Sequence, residues 1–232
     1  MVLRTEVRKV VEYSMIDAEK WQRYETFRRF YDEMSCSVSM CDDIDVTELK
    51  NACAECGRSF YISMLYVVSS VVNSHEEFRL IAIDSPDVPA PMPAVWDSVN
   101  PVHNIFHEES KTYTSVVTQW NPDYFGFYLF AEDDVARGKR LNIAAVPAGD
   151  NVFEASCVPW RHFTSVDAGC EDYPLSPIIV WGRFTERDGR TLMPLSIQIN
   201  HAAADGFHLA GFLNEAEEKA AALAELLRKK GK

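Results

Sequence analysis

Leu195, Ile197 and Ile199 alternate with Ser196, Gln198 and Asn200, and a few residues later the apolar spacing becomes helical. The alternation predicts a strand over Leu192–Asn200, and the stretch from about Gly206 to Lys229 predicts a long helix. That helix carries acids early (Glu215, Glu217, Glu218) and bases late (Arg228, Lys229, Lys230), the order its dipole favours. A clear strand beside a clear helix points to a mixed architecture.

The rest of the chain agrees. Residues 17–34 place Trp21, Tyr24, Phe27, Phe30 and Tyr31 at helical spacing behind Asp17, which predicts an amphipathic helix. Val38 and Ile44–Val46 are candidate short strands, followed by helices from about Thr47 or Asp45 through Cys56 and over about Ser59–Ser74. Phe78–Ile83 and Ala94–Val99 read as strands flanking a Pro-rich loop over 85–93. Thr112–Trp120 reads as a further strand, and residues 122–138 as a helix. Strands and helices mix without a regular βαβ rhythm, so the class is α/β or α+β. No linker or repeat divides the chain, and one domain is expected over 1–232. A core of that size can bury roughly 70–75% of the unfolded surface.

Charge narrows the partners. Lysine and arginine number 23 against 35 acids, a net charge of −12, so neither nucleic acid nor an anionic membrane is an expected partner. The first nine residues lack the apolar core of an export signal. The most apolar run, Phe60–Val72, is interrupted by serines and falls short of the roughly 20 residues of a membrane span. Cys36, Cys41, Cys53, Cys56, Cys157 and Cys170 are therefore expected as free thiols in a reducing cytoplasm. Cys53 and Cys56, with Cys36 and Cys41 upstream, suit tetrahedral zinc if all four converge. Their loose spacing favours small apolar fillers instead, and no metal is expected.

The motifs GxGxxG, GxxxxGK[ST], GxSxG and HExxH are all missing, which removes the usual nucleotide, hydrolase and zinc-protease readings. What stands out is Asn200-His201-Ala-Ala-Ala-Asp205-Gly206-Phe207-His208, between the strand and the helix. A histidine fixed at a strand end has the geometry a general base needs. Asp205 can cap the helix, and Gly206 permits a tight turn. Spacing alone fits a capped helix beside a hydrogen-bonded structural histidine equally well. His75, His103, His107, His162 and His208 are expected as structural or surface groups.

This stretch resembles the HHxxxDG signature of chloramphenicol acetyltransferases, shared with related CoA-dependent acyltransferases. Trp21-Gln-Arg23-Tyr-Glu25 with Phe27 resembles the family's N-terminal Trp-x-Arg-x-Glu helix. His75–Arg79, Val95–Val99 and Ile105–Glu108 resemble successive family segments in order, and Ser156–Trp160 with Phe163–Ser165 the one carrying its active-site serine. Met193–Gln198 leads into the histidine motif as it does there, and the likeness covers roughly residues 14–220.

The resemblance implies a two-layer sandwich, a mixed β-sheet covered by helices, in a homotrimer with sites at subunit interfaces. It implies acetyl-CoA as co-substrate, no tightly bound cofactor, and a small acceptor alcohol, chloramphenicol first. His201 would be the general base and Ser156 the oxyanion donor, with Asp205 paired to Arg23 to hold the histidine loop. Phe30, Met34, Cys36 and Val38 match one apolar wall of the acceptor pocket; Tyr113, Ser115 and Val166 match the opposing side. Departures lie at Asn200 (the family's first histidine), at Val180 (often threonine), in 166–177 and in the Pro-rich insertion; they bear on the acceptor, not the reaction. The rivals are a dihydrolipoyl acyltransferase core, argued against by the lack of a preceding lipoyl domain, a non-catalytic drug- or CoA-binding protein, and a zinc-stabilised interaction module.

Overall fold

The computed structural model describes residues 12–84, 91–141, 150–169 and 174–230. In chain order these form β1 (Tyr13–Met15), α1 (Tyr24–Arg28) running into a π-helical turn (Arg29–Glu33), β2 (Ser37–Asp45), α2 (Thr47–Glu55) and α3 (Phe60–Ser74). A 3-10 turn (Glu76–Arg79), β3 (Leu80–Ile83), β4 (Met92–Trp96), β5 (Asn100–His107), β6 (Thr112–Val117) and α4 (Tyr124–Leu141) follow. Last come β7 (Val152–Val158), β8 (Ile178–Gly182), β9 (Thr185–Arg187), β10 (Arg190–Asn200) and α5 (Gly206–Lys230).

The main sheet runs β2-β10-β8-β7-β5-β6, with β9 paired to β10. β5, β7 and β8 are mutually parallel and the other pairs antiparallel, so the sheet is mixed. A small sheet, β1-β4-β3, lies apart from it. Helices cover one face of the main sheet, giving a two-layer α/β sandwich. Between the layers lie Phe153, Ala155, Ile179, Trp181, Leu195 and Ile197 from the sheet, with Leu65, Val68, Phe127 and Phe212 from the helices, all nearly inaccessible. Among the described residues no helix is long and apolar enough to cross a membrane.

Several elements differ from the sequence expectation. The helix expected over 17–34 starts only at Tyr24, because Asp17 closes a turn first: its carbonyl takes the amides of Lys20 and Trp21. Val38, Ile44 and Asp45 belong to one continuous strand, β2, since all nine of its residues pair with β10, while Val46 lies just beyond it as the N-cap residue of α2. Phe78 lies in the 3-10 turn rather than a strand, and the strand expected at Ala94–Val99 is Met92–Trp96. β6 stops at Val117, where Thr118 N turns to Pro101 O and Asn100 Oδ1 takes Trp120 N. Of the Pro-rich loop, 85–90 lie outside the described residues.

β10 departs from its expected pattern most. Its alternation predicts one dry and one wet face, yet every residue from Thr191 to Asn200 is buried. The second face is covered by segment 159–169. His162 Nε2 meets Asp43 Oδ1 at 2.8 Å, Gln198 Oε1 accepts from Ala168 N at 3.0 Å, and Gln198 Nε2 donates to Asp167 Oδ1 at 2.8 Å.

This cover lies so close that Gly182 of β8 has no room for a side chain. A Cβ there would meet Phe163 Cε1 at 2.7 Å, Pro194 Cγ at 2.8 Å and Arg161 O at 3.0 Å. Gly182→Ala is expected to destabilise the protein by about 1–3 kcal/mol through overpacking, lowering the melting temperature by about 3–10 °C in calorimetry. An unchanged melting temperature would show that segment 161–163 gives way freely.

Candidate active site

The turn after β10 is built on its own backbone. His201 N donates to Cys36 O at 2.9 Å, extending the β2 ladder by one bond, and Asn200 Oδ1 accepts from Ala202 N at 2.8 Å. Ala202, Ala203 and Ala204 are fully buried, which is why the turn carries only methyl side chains there. His201 Nδ1 lies 3.0 Å from Ala204 O. A carbonyl oxygen only accepts, so Nδ1 bears the proton and the neutral ring keeps its lone pair on Nε2.

The Phe30 ring stacks on this imidazole, centroids 4.0 Å apart and planes within 16°. Phe30 is delivered there by the π turn, whose wide loop closes from Met34 N to Arg29 O. Such turns recur at functional sites because they push one side chain out of helical register.

Asp205 sits at the start of α5 and accepts from Phe207 N at 3.1 Å as its cap. Its Oδ2 meets Arg23 Nη1 at 2.5 Å, and its Oδ1 meets His208 Nδ1 at 2.9 Å. Burial alone would raise the Asp205 carboxyl, but the Arg23 hydrogen bond and the His208 and Arg23 charges hold it below its usual range. Arg23 Nε and Nη2 are buried without a hydrogen-bond partner among the described residues. Asp205 is thus the carboxylate that balances this guanidinium, and their contact ties the start of α1 to the histidine turn.

The residues singled out in the sequence fall into two groups. Phe30, Met34, Cys36, Val38, His201, Asp205 and Arg23 gather at the end of β10: Val38 pairs with Ile199, Cys36 O binds His201 N, and Met34 is 44% exposed. Ser156, Tyr113 and Ser115 lie elsewhere, on the sheet face away from the helices. One row there runs from Ser196 to Val180 to Ser156, and Ser115 pairs with Asn104 one step beyond the His103–Ala155 pair. Five residues along β10 and two strands across put His201 and Ser156 about 19 Å apart in one chain, at about 3.3 Å per residue and 4.8 Å per strand. Val166 leads into the Asp167–Ala168 segment that Gln198 holds.

Sequence reasoning did not single out Gln198, whose place in the alternation reads as a solvent-facing position. His208, expected as a structural or surface group, shares Asp205 with Arg23. The remaining histidines have protein partners: His75 with Glu215, His107 with Thr114, and His162 with Asp43. His103 is fully buried between Tyr61 and Thr118, and burial pushes it down to about 3, so it stays neutral. Cys53 contacts Ser63 Oγ and Cys56 reaches Leu227 O, while Cys36 and Cys41 lie on or beside β2. These four do not converge, and no group of three His, Cys, Asp or Glu suited to a metal occurs among the described residues. Cys170 lies outside the described residues.

Comparison with known proteins fits this geometry. The chloramphenicol acetyltransferase family model matches residues 11–217. Chloramphenicol acetyltransferase of Streptomyces acrimycini is 37% identical over 205 residues, spanning 86% of this chain and 90% of that protein. The Clostridium butyricum enzyme of the same name is 30% identical over 224 residues, 95% of this chain and all of that one. A solved chloramphenicol acetyltransferase superposes with a TM-score of 0.76 at 24% identity, over 89% of this chain and 99% of its own. A dihydrolipoamide acetyltransferase of Azotobacter vinelandii shares the fold more distantly, with a TM-score of 0.61 at 15% identity over 88% of each chain. A helix-backed mixed sheet ending in a tautomer-fixed histidine is the framework of an acyltransferase, and this chain is one. It belongs to the chloramphenicol acetyltransferase family.

The Arg23–Asp205 contact is partly exposed, so its worth lies between the ~0–1 kcal/mol of a surface pair and the ~3–5 kcal/mol of breaking a buried one. Asp205→Asn is expected to cost about 1–3 kcal/mol at neutral pH. Because the folded carboxyl titrates below its ordinary value of about 3.9, this stabilisation is complete above that pH and lost as pH falls through the lower folded value. Calorimetry from neutral to strongly acid pH should show the gap to the parent protein closing on the acid side. A constant gap would assign the effect to something other than the ionised pair.

Proposed function

We propose that the protein transfers an acetyl group from acetyl-CoA directly to the primary hydroxyl of a small alcohol, with chloramphenicol as the first acceptor to test. The hydrogen bond from His201 Nδ1 to Ala204 O carries this reading, because it leaves Nε2 as the basic atom under a stacked aromatic ring. Nε2 takes the proton of the acceptor hydroxyl as its oxygen attacks the thioester carbonyl. The new C–O bond creates a tetrahedral oxyanion, which accepts a hydrogen bond from Ser156 Oγ. Collapse breaks the C–S bond, the departing sulfur takes the proton from the imidazolium, and an acetyl ester and CoA thiol leave. Base catalysis of this kind contributes about 10²–10⁴-fold and one oxyanion donor on the order of 10²–10³-fold.

The distance of about 19 Å between His201 and Ser156, from strand spacing, prevents one chain from using both on one carbonyl. The site is therefore composite, with His201 of one subunit facing Ser156 of the partner subunit in a homotrimer closed head to tail. Phe30, Met34, Cys36 and Val38 form the wall beside His201, and Tyr113, Ser115 and Val166 line the side of Ser156. Supply of acetyl-CoA puts the reaction in the cytoplasm.

Thiol release from acetyl-CoA, with chloramphenicol and a panel of other alcohols, tests the reaction and its acceptor. His201→Ala is expected to lower kcat at least about 10²-fold with CoA still bound, and Ser156→Ala roughly 10–10³-fold with little change in KM. Subunit mixing tests the composite site. His201→Ala and Ser156→Ala chains refolded together should recover up to about a quarter of parental activity, since a head-to-tail ring then contains some intact interfaces. Recovery no greater than the average of the two variants would place the reacting pair within one chain and overturn this arrangement.

A further inference from the structure

The sheet face that carries Ser156 is more polar than an apolar acceptor needs. Residues paired across neighbouring strands point to one side of a sheet, so Tyr113, Ser115, Asn104, Ser156 and Glu154 share this face. Ser115 Oγ donates to Asn104 Oδ1 at 2.7 Å, which satisfies that pair internally. Glu154 differs. It stands between Val102 on β5 and Ile178 on β8, and its backbone amide is spent on Pro177 O.

Several other partly or fully buried carboxylates have partners: Asp43 with His162 and Arg187, Asp134 with Arg137, Asp205 with Arg23, Glu215 with His75 and Lys219. Glu154 has neither an ion pair nor a side-chain hydrogen bond among the described residues. Burial accordingly raises its pKa above the ordinary carboxyl value. A charge held between aliphatic side chains is costly unless something compensates it. The chain's net charge of −12 makes a cation the favoured visitor.

We propose that Glu154 selects the acceptor by binding an ammonium group on the alcohol, so that the preferred substrate is an amino alcohol rather than a neutral one. This rests on the reading that the acceptor reacts at Ser156. Glu154 and Ser156 are two residues apart on one strand face, about 7 Å. With the reacting carbon at Ser156 and the ammonium at Glu154, two or three carbons separate nitrogen from hydroxyl.

Chloramphenicol and the amino diol left by hydrolysing its amide are a matched pair, with the same ring and hydroxyls but a neutral amide or a cationic amine. Glu154→Gln keeps the side-chain shape and removes the charge. It is expected to lower kcat/KM for the amino diol about 10–100-fold, as for loss of a charge-assisted hydrogen bond, and to leave chloramphenicol within about threefold. The same selective loss should appear in dissociation constants measured calorimetrically without acetyl-CoA, so the proposal is read even if the catalytic reading fails. An unchanged ratio between the two acceptors, or binding of neither, would overturn it. So would an equal loss for both with a changed molecular mass in solution, which would assign the carboxylate to a subunit interface.

Discussion

A strand buried on both faces must satisfy every polar group it carries, and much of this molecule is arranged around that demand in β10. One face of the strand is apolar and packs under the helices. The other presents Ser196, Gln198 and Asn200, which would be costly to bury unpaired. Gln198 meets the demand through Ala168 N, Asp167 Oδ1 and Ser37 Oγ, and Asn200 by capping the turn that follows. Segment 159–169 is thereby strapped over the sheet, Gly182 is obligatory beneath it, and the start of β2 is tied to the same amide.

The histidine turn inherits its rigidity from this arrangement. β10 fixes the backbone of Asn200 and His201, three buried alanines leave the loop no alternative packing, and the Ala204 carbonyl dictates which imidazole nitrogen holds the proton. Asp205 then makes three contacts: it caps α5, binds Arg23 ahead of α1, and holds His208 one turn on. The π turn places Phe30 against the ring. Each of these contacts restrains the direction of one lone pair, a property that a base acting on a bound alcohol requires.

The distribution of polar groups over the sheet divides the chemistry. The His201 end offers apolar neighbours and a ring nitrogen with a free lone pair, whereas the Ser156 face offers hydroxyls, an amide and the carboxylate of Glu154, unpaired among the described residues. The composite site we propose would join two such unlike halves from different subunits, and acceptor choice could then change through residues such as Glu154 without disturbing the proposed base. The family match assigns acyl transfer to this chain.

The sequence by itself determined the long elements and the histidine motif. Period-two spacing from Leu192, helical spacing after Gly206 and the Asn200–His208 cluster are local signals, and so are the helices at 47–56, 59–74 and 122–138. It did not disclose β5, β7 or β8; of these, Ile178-Ile-Val-Trp181 in β8 is simply apolar and lacks the alternation that marks a half-exposed strand. Nor did it reveal that Gln198 faces protein, that the helix at 17–34 begins late and ends as a π turn, or that Glu154 has no side-chain partner among the described residues. Those outcomes depend on which residues distant in sequence come to lie against each position. Only the tertiary structure decided them, since the cost of burying a polar group is set by its neighbours in space and not by its neighbours in the chain.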